Sequence, residues 1–231
     1  MHLLINKRKI YFYLFSLFIL TTIINQNLIN FFRECFLIKE IEIKVSSSEI
    51  KKNIQMNTNY LNNKNIIFLD KKNIFEALSD LNYLENITVK KNFPSKIKIN
   101  ADKTKFLAIS YINKEKYYVG ENGKFIIAKR LLNEKKLPII FGKFQITDFI
   151  NLKKILNKEN VNQENIMKYY YHKNKRWDLY YKENILIKLP NDNISTSIKL
   201  YKKFKMKNDI KEGSIIDLRI QNRIVVKNEQ N

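Results

Sequence analysis

The sequence predicts an α+β protein with a single N-terminal transmembrane helix, a β-α-α-β-β module and a mostly antiparallel β-sheet domain with two helices. Three observations support this prediction. Residues 10–32 contain no charged residue and are mostly apolar. Many short segments alternate apolar and polar residues, which is typical of half-buried strands. Other segments repeat apolar residues every three or four positions, as amphipathic helices do.

The apolar stretch at residues 10–32 follows the basic cluster Lys7-Arg8-Lys9. At about 1.5 Å per residue, a helix of this length reaches roughly 34 Å, which is enough to cross a hydrocarbon core. The basic cluster predicts that residues 1–9 form a short cytoplasmic tail and that the rest of the chain lies outside. A cleaved signal peptide is the alternative, although no small-x-small cleavage site follows the stretch.

The composition is strongly basic, with 43 Lys and Arg residues against 22 Asp and Glu residues and a formal net charge of +21. Such a charge favours nucleic-acid binding. The predicted topology argues against it, because a domain outside the cell membrane rarely meets DNA, and the lysines are spread rather than gathered in a patch. We therefore expect no nucleic-acid partner and interpret the charge as compositional bias, with attraction to anionic headgroups as the alternative. The single cysteine, Cys35, excludes an internal disulfide.

The β-α-α-β-β module is predicted at residues 36–104. Residues 36–45 alternate as a strand, and Ser46–Glu49 has the spacing of a capping box, which predicts a helix to about residue 57. Asp70 is expected to cap a second helix. Two alternating strands joined by a tight turn are predicted at residues 87–93 and 96–101.

The mostly antiparallel domain is predicted at residues 105–231. Glu121-Asn122-Gly123 lies between two alternating segments and predicts a hairpin, because Asn-Gly tolerates positive φ at both turn positions. Helices are predicted after Thr147 or Asp148 and over residues 194–206. Strands are predicted at residues 106–111, 116–119, 124–127, 166–172, 176–181, 185–189, 214–220 and 224–226, with a strand or turn at 137–142.

Side chains suited to catalysis are sparse. The two histidines are His2 and His172, no Cys/His spacing fits a metal site, and no Ser-His-Asp set can be assembled. Two acids in predicted strands are interpreted as paired structural charges rather than general acids or bases: Asp178 beside Arg176, and Asp217 beside Arg219. We therefore expect no catalytic, cofactor-binding or metal-binding residues, no cofactor and no small-molecule substrate. A binding or scaffolding role is favoured over an enzyme.

Two segments of the first module resemble motifs of a known protein family. Leu81-Asn82-Tyr83-Leu84 follows the second predicted helix, and residues 89–99 run from a basic strand through Phe93-Pro94 into an alternating strand. Both are similar to motifs of the POTRA domain in the bacterial cell division family FtsQ, called DivIB in other lineages. The prolines that the family favours within 81–84 and 102–105 are absent here.

The C-terminal domain resembles the same family more closely, in its alphaproteobacterial version. Arg223 stands where the family usually has Gly after Asn222. The similar segments, in order along the chain, are residues 119–125, 137–142, 176–179, 189–190, 216–219 and 224–227. The resemblance therefore extends over nearly the whole chain.

The resemblance implies a non-enzymatic bitopic scaffold that links early and late proteins of the division machinery. Its POTRA domain and membrane segment would contact FtsK-type and other division proteins, and its C-terminal domain would bind FtsB- and FtsL-type proteins. The implied location is the cell inner membrane, single-pass type II, with the bulk of the chain in the periplasm at the division septum. The alternatives are a POTRA-containing transport or secretion component and, less favoured for want of a site, a membrane-anchored periplasmic enzyme.

The resemblance also implies a binding site at the last strand, where a partner strand is added to the sheet. The β-branched run Ile224-Val225-Val226 suits this role, because an edge strand offers unpaired backbone N–H and C=O groups. Nearby basic side chains are expected to attract acidic partner residues. The alternative is that this strand pairs internally and that Lys and Arg guard its edge. The expected site residues are Tyr201, Lys202, Arg223, Ile224, Val225, Val226 and Lys227.

Overall fold

The computed structural model describes residues 7–22, 26–128 and 136–228. The protein is α+β with mixed sheets and divides into two compact units. Unit 1 comprises Met1–Asp80 and Asn86–Asp102, and unit 2 comprises Leu81–Glu85 and Lys103–Asn231. In the described part of the chain, the strands form a three-stranded sheet, here called the small sheet, and a nine-stranded large sheet.

The N-terminal apolar stretch forms two helices, α1 (Lys7–Thr22) and α2 (Gln26–Cys35). Among the described residues, no helix has both the length and the apolarity needed to cross a membrane, so the predicted transmembrane helix at 10–32 is wrong. The 16 residues of α1 rise about 24 Å, which is less than the roughly 30 Å of a hydrocarbon core. The prediction treated residues 10–32 as one apolar stretch, although this stretch includes the amide-rich segment at which α2 begins. Residues 1–6 of the predicted tail, including His2, lie outside the described residues.

Unit 1 is built from a β-α-α-β-β series of elements, in the order that the sequence predicts. The small sheet has the strand order β1-β3-β2, and β1 runs parallel to β3 with Ile41 opposite Ile97. The two helices after β1 bury apolar residues spaced three or four positions apart, such as Ile50 with Ile54. The elements are β1 (Glu40–Lys44), α3 (Ser48–Thr58), a 3-10 turn (Asn59–Leu61), α4 (Lys71–Leu78), β2 (Leu84–Asn92) and β3 (Lys96–Lys103).

The two helices that follow β1 begin differently. Asp70 caps α4 as predicted, since its Oδ1 accepts a hydrogen bond from the Lys72 N–H at 3.0 Å. The predicted capping box at Ser46–Glu49 is wrong, because α3 begins at Ser48 with Ser47 at the N-cap and without a side-chain capping bond. This start places Glu49 at the second helical position, one short of the position from which it would reach back to the N-cap.

Unit 2 contains the large sheet, whose strand order is β12-β11-β10-β9-β8-β7-β4-β5-β6. Antiparallel pairings outnumber parallel ones by five to three among the described strands, as the sequence predicts. The strands are β4 (Phe106–Ile112), β5 (Glu115–Gly120), β6 (Phe125–Ile127), β7 (Ile139–Phe141), β8 (Ile166–Tyr171), β9 (Trp177–Tyr181), β10 (Leu186–Lys188), β11 (Ser214–Asp217) and β12 (Val225–Asn228).

Two helices cross over between parallel neighbours of the large sheet. Helix α5 (Ile146–Lys158) joins β7 to β8, and α6 (Ile194–Lys205) joins β10 to β11. A parallel pair needs such a crossover, because a tight turn can join only antiparallel strands.

The predicted hairpin is formed by β5 and β6, and its loop has three residues. The Gly123 N–H donates to the Gly120 carbonyl at 3.1 Å, and the Gly120 N–H donates to the Lys124 carbonyl at 3.0 Å. In this loop Gly123 has a φ of +76°, whereas Asn122 does not take positive φ. A turn followed by one left-handed residue is a common three-residue hairpin, and glycine adopts that conformation without steric cost.

The core of unit 2 lies on the face of the large sheet that α5 and α6 cover. Phe149 of α5 and Ile198 of α6 pack there with inward-facing residues of β8 to β11. The Phe149 ring lies 5.1 Å from the Tyr169 ring and 5.8 Å from the Trp177 ring, centroid to centroid. Because strand side chains alternate, the intervening residues face the opposite side, here called the open face. In register across the open face are Phe141, Tyr170, Asp178, Lys188, Asp217 and Val225.

Candidate partner-binding edge

The last described strand, β12, lies at one edge of the large sheet and has β11 as its only neighbour among the described strands. The pair is antiparallel, with Val226 opposite Ile216 and Val225 opposite Asp217. The turn before β12 contains Asn222 in the left-handed region, with a φ of +59°. Asparagine thus adopts this conformation in a turn where the following residue is Arg223 rather than glycine.

The residues predicted at the last strand lie together along this edge. Val225 and Val226 are 39% and 38% exposed, although valine in a covered strand is usually buried. Arg223 and Lys227 are exposed as well. Ile224 is partly buried and packs against the core of unit 2, so it fixes the start of β12 to the domain.

The two faces of β12 differ chemically because its side chains alternate. Val226 lies on the core side, opposite the buried Ile216. Val225 and Lys227 lie on the open face, opposite Asp217 and Ile215. A strand paired beyond β12 would therefore meet Val226 on one face and both Val225 and Lys227 on the other.

The other two predicted site residues lie elsewhere in unit 2. Tyr201 and Lys202 belong to α6 and line a cleft of about 710 Å³, together with Tyr181 and Glu183. The Lys202 ammonium donates to the Glu159 carbonyl at 2.9 Å, at the end of α5. Within the described residues, the lining of this cleft includes none of β12. The structure therefore separates the predicted site into an edge strand and a cleft.

Two tyrosines of this cleft have shifted ionisation. Burial raises the pKa of Tyr181, and the neighbouring Tyr201 and Glu183 raise it further. Burial also raises the pKa of Tyr201, with a smaller effect from Glu183. Both hydroxyls are protonated at neutral pH, as an unshifted tyrosine also is, and each can donate a hydrogen bond. Tyr181 and Glu183 were not predicted as site residues, because no local pattern shows that the turn after β9 lies beside α6.

An ion pair between Asp217 and Arg219 stabilises the end of β11, next to the edge strand β12. The Arg219 Nε donates to the two carboxylate oxygens of Asp217 at 2.8 and 2.9 Å, and its Nη2 also contacts Oδ2. The hydrogen bond from Arg219 lowers the pKa of Asp217, and burial opposes that effect. The prediction that these residues form a structural charge pair is confirmed. Asp217 is the β11 residue opposite Val225, so this pair supports the strand on which β12 lies.

The Asp217 pair makes a pH-dependent contribution to stability. Because the folded-state pKa of Asp217 is lower than the unfolded value of about 3.9, the contribution is present above that pH and is lost as the pH falls through the folded pKa. We expect Asp217→Asn to lower the free energy of unfolding by about 1–2 kcal/mol at neutral pH and by much less in strong acid. Urea unfolding at about pH 7 and about pH 2.5 measures both values.

The matched control for this prediction is Asp192→Asn, which changes an exposed acid of the same unit. It should alter stability little at either pH. A loss for Asp217→Asn that stays constant between the two pH values would contradict the assignment of the effect to this carboxylate.

A second charge cluster lies on the open face. The His172 Nε2 is 2.8 Å from the Asp178 Oδ2, and the Arg176 Nε is 3.6 Å from the Asp178 Oδ1. The Asp178–Arg176 pairing was predicted, whereas the His172 contact was missed. The β8–β9 hairpin brings His172 and Arg176 together, since the His172 N–H donates to the Arg176 carbonyl at 3.0 Å. Among the described residues, no group of three or more His, Cys, Asp or Glu side chains could hold a metal ion.

Unit 2 has a mixed sheet with helices on one face and an exposed strand at one edge, and such an edge can accept a partner strand. Residues 108–219 match the family model described as cell division protein FtsQ/DivIB, C-terminal, and no curated protein matches the chain. Unit 2 is therefore a C-terminal domain of the FtsQ/DivIB family of cell division proteins, and the predicted family is confirmed. The family comprises non-enzymatic division-site proteins that interact with other division proteins, which gives this chain a role in cell division.

Proposed function

We propose that this protein is a non-enzymatic scaffold of the division machinery that binds its partners by strand addition at β12. The observation that supports this proposal is the position of β12 at the edge of the large sheet, with Val225 and Val226 each nearly two-fifths exposed. Alternate residues of such a strand direct backbone N–H and C=O groups away from the sheet, where a partner strand can pair with them.

The partners that fit this edge are FtsB- and FtsL-type division proteins. Backbone hydrogen bonds supply affinity without regard to sequence, so selectivity has to come from side chains. Arg223 and Lys227 are exposed beside the edge and favour a partner segment with acidic residues. The same charges discourage pairing between copies of this chain, because like charges would face one another.

We also propose that residues 36–104 form a POTRA domain and that residues 105–231 form the C-terminal FtsQ-type β domain. The small sheet with strand order β1-β3-β2 and the two helices between β1 and β2 support this division. In this proposal the POTRA domain contacts FtsK-type and other division proteins. The chain thereby links early and late components through two separate surfaces.

The test determines where the protein is located in dividing cells and which proteins are recovered with it. A fluorescent fusion of the full chain should concentrate at the septum, and FtsB- and FtsL-type proteins should be recovered with it on affinity purification. Uniform fluorescence throughout the cell cycle would contradict the scaffold and would favour the transport component. Septal fluorescence without these two proteins would retain the division role but exclude the proposed partners.

A further inference from the structure

A second cleft of unit 2, about 460 Å³ in volume, lies on the β4–β5 side of the large sheet. Its lining comes from segments that are distant in the sequence, including Lys105 before β4, Glu121 in the hairpin loop and Lys153 on α5. The Glu121 N–H donates to the Lys105 carbonyl at 2.9 Å, which holds the first two segments together. The cleft shares no lining residue with β12 or with the cleft beside Tyr201.

Positive charge dominates this cleft. Lys105, Lys153 and Lys154 line it against two carboxylates, Glu121 and Glu164. Burial lowers the pKa of Lys153, the like charge of Lys105 lowers it further, and Glu121 opposes these effects in part. Two ammonium groups that repel each other in a partly buried site are both stabilised when a carboxylate enters between them.

The remaining walls suit a peptide better than a small inorganic anion. Leu137 and Ile150 are partly exposed in the lining and offer apolar contact. Gln163 donates its amide N–H to the Asn157 Oδ1, and its Oε1 is buried without a hydrogen-bond partner in the described part of the chain. A buried acceptor without a partner is unfavourable, and a peptide N–H is a suitable donor for it.

We propose that this cleft binds an acidic segment of a partner protein. Carboxylates of the segment pair with Lys105 and Lys153, and an apolar side chain between them packs on Leu137 and Ile150. A backbone N–H of the segment donates to Gln163. Inorganic phosphate could pair with the lysines, but it would leave the apolar walls and the amide oxygen unused. This site is independent of strand addition at β12, so either can be disproved without the other.

The test uses the full chain and a fluorescein-labelled peptide, Glu-Leu-Glu-Leu with both ends blocked, followed by fluorescence anisotropy. Lys153→Met removes the charge, keeps an unbranched side chain, and should weaken binding about tenfold. Lys153→Arg should retain most of the affinity. Lys158→Met is the matched control, since Lys158 is an exposed lysine on the same helix outside the cleft lining, and it should leave binding unchanged.

Three results would overturn the proposal. One is equal binding of the neutral peptide Gln-Leu-Gln-Leu, and another is unchanged binding by Lys153→Met. The third is displacement of the peptide by inorganic phosphate at similar concentration, because the site would then be a general anion site. Thermal unfolding checks that each variant is folded, and Lys105→Met provides the same test if Lys153→Met does not fold.

Discussion

Proline is expected to abolish recovery of the FtsB–FtsL pair, while leaving unit 2 folded, when it replaces the valine of β12 whose backbone N–H points away from the large sheet. Successive residues of an antiparallel strand point their N–H groups alternately toward and away from the neighbouring strand. Of Val225 and Val226, one therefore donates to β11 and the other donates outward. Val225→Pro and Val226→Pro each remove one donor from a similarly exposed valine, but only one of them removes a hydrogen bond inside the domain.

Thermal unfolding identifies which of the two proline variants leaves unit 2 folded. Co-precipitation with the FtsB–FtsL pair then measures binding by that variant. That variant should reduce recovery by at least about tenfold, because it removes a backbone bond and introduces a ring at the interface. Val225→Thr and Val226→Thr retain both N–H groups and serve as controls that should keep binding. Wild-type recovery by the stable proline variant would exclude strand addition at β12.

Phe149→Ala is expected to lower the free energy of unfolding of unit 2 by about 3–5 kcal/mol. Phe149 is fully buried and contacts the Tyr169 and Trp177 rings, so its removal leaves a cavity at the centre of the core. Trp177 is the only tryptophan of the chain and is 3% exposed, so its fluorescence reports the unfolding of unit 2 directly. Urea denaturation followed at this residue gives the free energy.

The matched control is Phe141→Ala on the open face. Phe141 stacks on Tyr170 at 5.1 Å but is 39% exposed, so its removal should cost about 1 kcal/mol or less. Similar losses for the two variants would contradict the placement of the core between the large sheet and its two helices.

Elements with strong local signals could be predicted closely from the sequence. The helix predicted at 194–206 is α6 (Ile194–Lys205), and the strand predicted at 176–181 is β9 (Trp177–Tyr181). Both follow from side-chain periodicity, which packing against a single surface imposes on neighbouring residues. The parallel pairing of β4 with β7 could not be predicted in this way, because it joins Ile109 to Ile139 and leaves no mark in the local pattern.

The candidate site was predictable to the same extent. The β-branched run before residue 227 predicted a strand, the resemblance implied that it is an edge strand, and β12 lies at the sheet edge. Tyr201 is partly buried against the core, but the local sequence pattern could not identify which strands it meets. The cleft with Tyr181 and Glu183 is therefore a result of the tertiary structure alone.

At the N-terminal apolar stretch the prediction failed for a different reason, because mean hydropathy does not show where one helix ends and the next begins. A hydropathy argument over residues 10–32 treats 23 residues as one continuous element. Among the described residues, α1 ends at Thr22 and α2 begins at Gln26, so the stretch contains two helices where the hydropathy argument assumed one. Whether an apolar stretch forms one continuous helix of sufficient length has to be tested separately from its mean apolarity.

The parallel pairings have a consequence for how the binding edge comes into being. Ile109 pairs with Ile139, Ile139 with Lys168, and Leu186 with Ile215, so each pairing closes a long loop before its contacts are gained. Such non-local contacts make a sheet fold slowly, on the order of milliseconds to seconds. β12 reaches the large sheet only through β11, and β11 reaches it only through β10. The β12 edge thus forms only after this crossover has closed, so in the proposed scaffold a partner strand would pair only with chains whose sheet is already assembled.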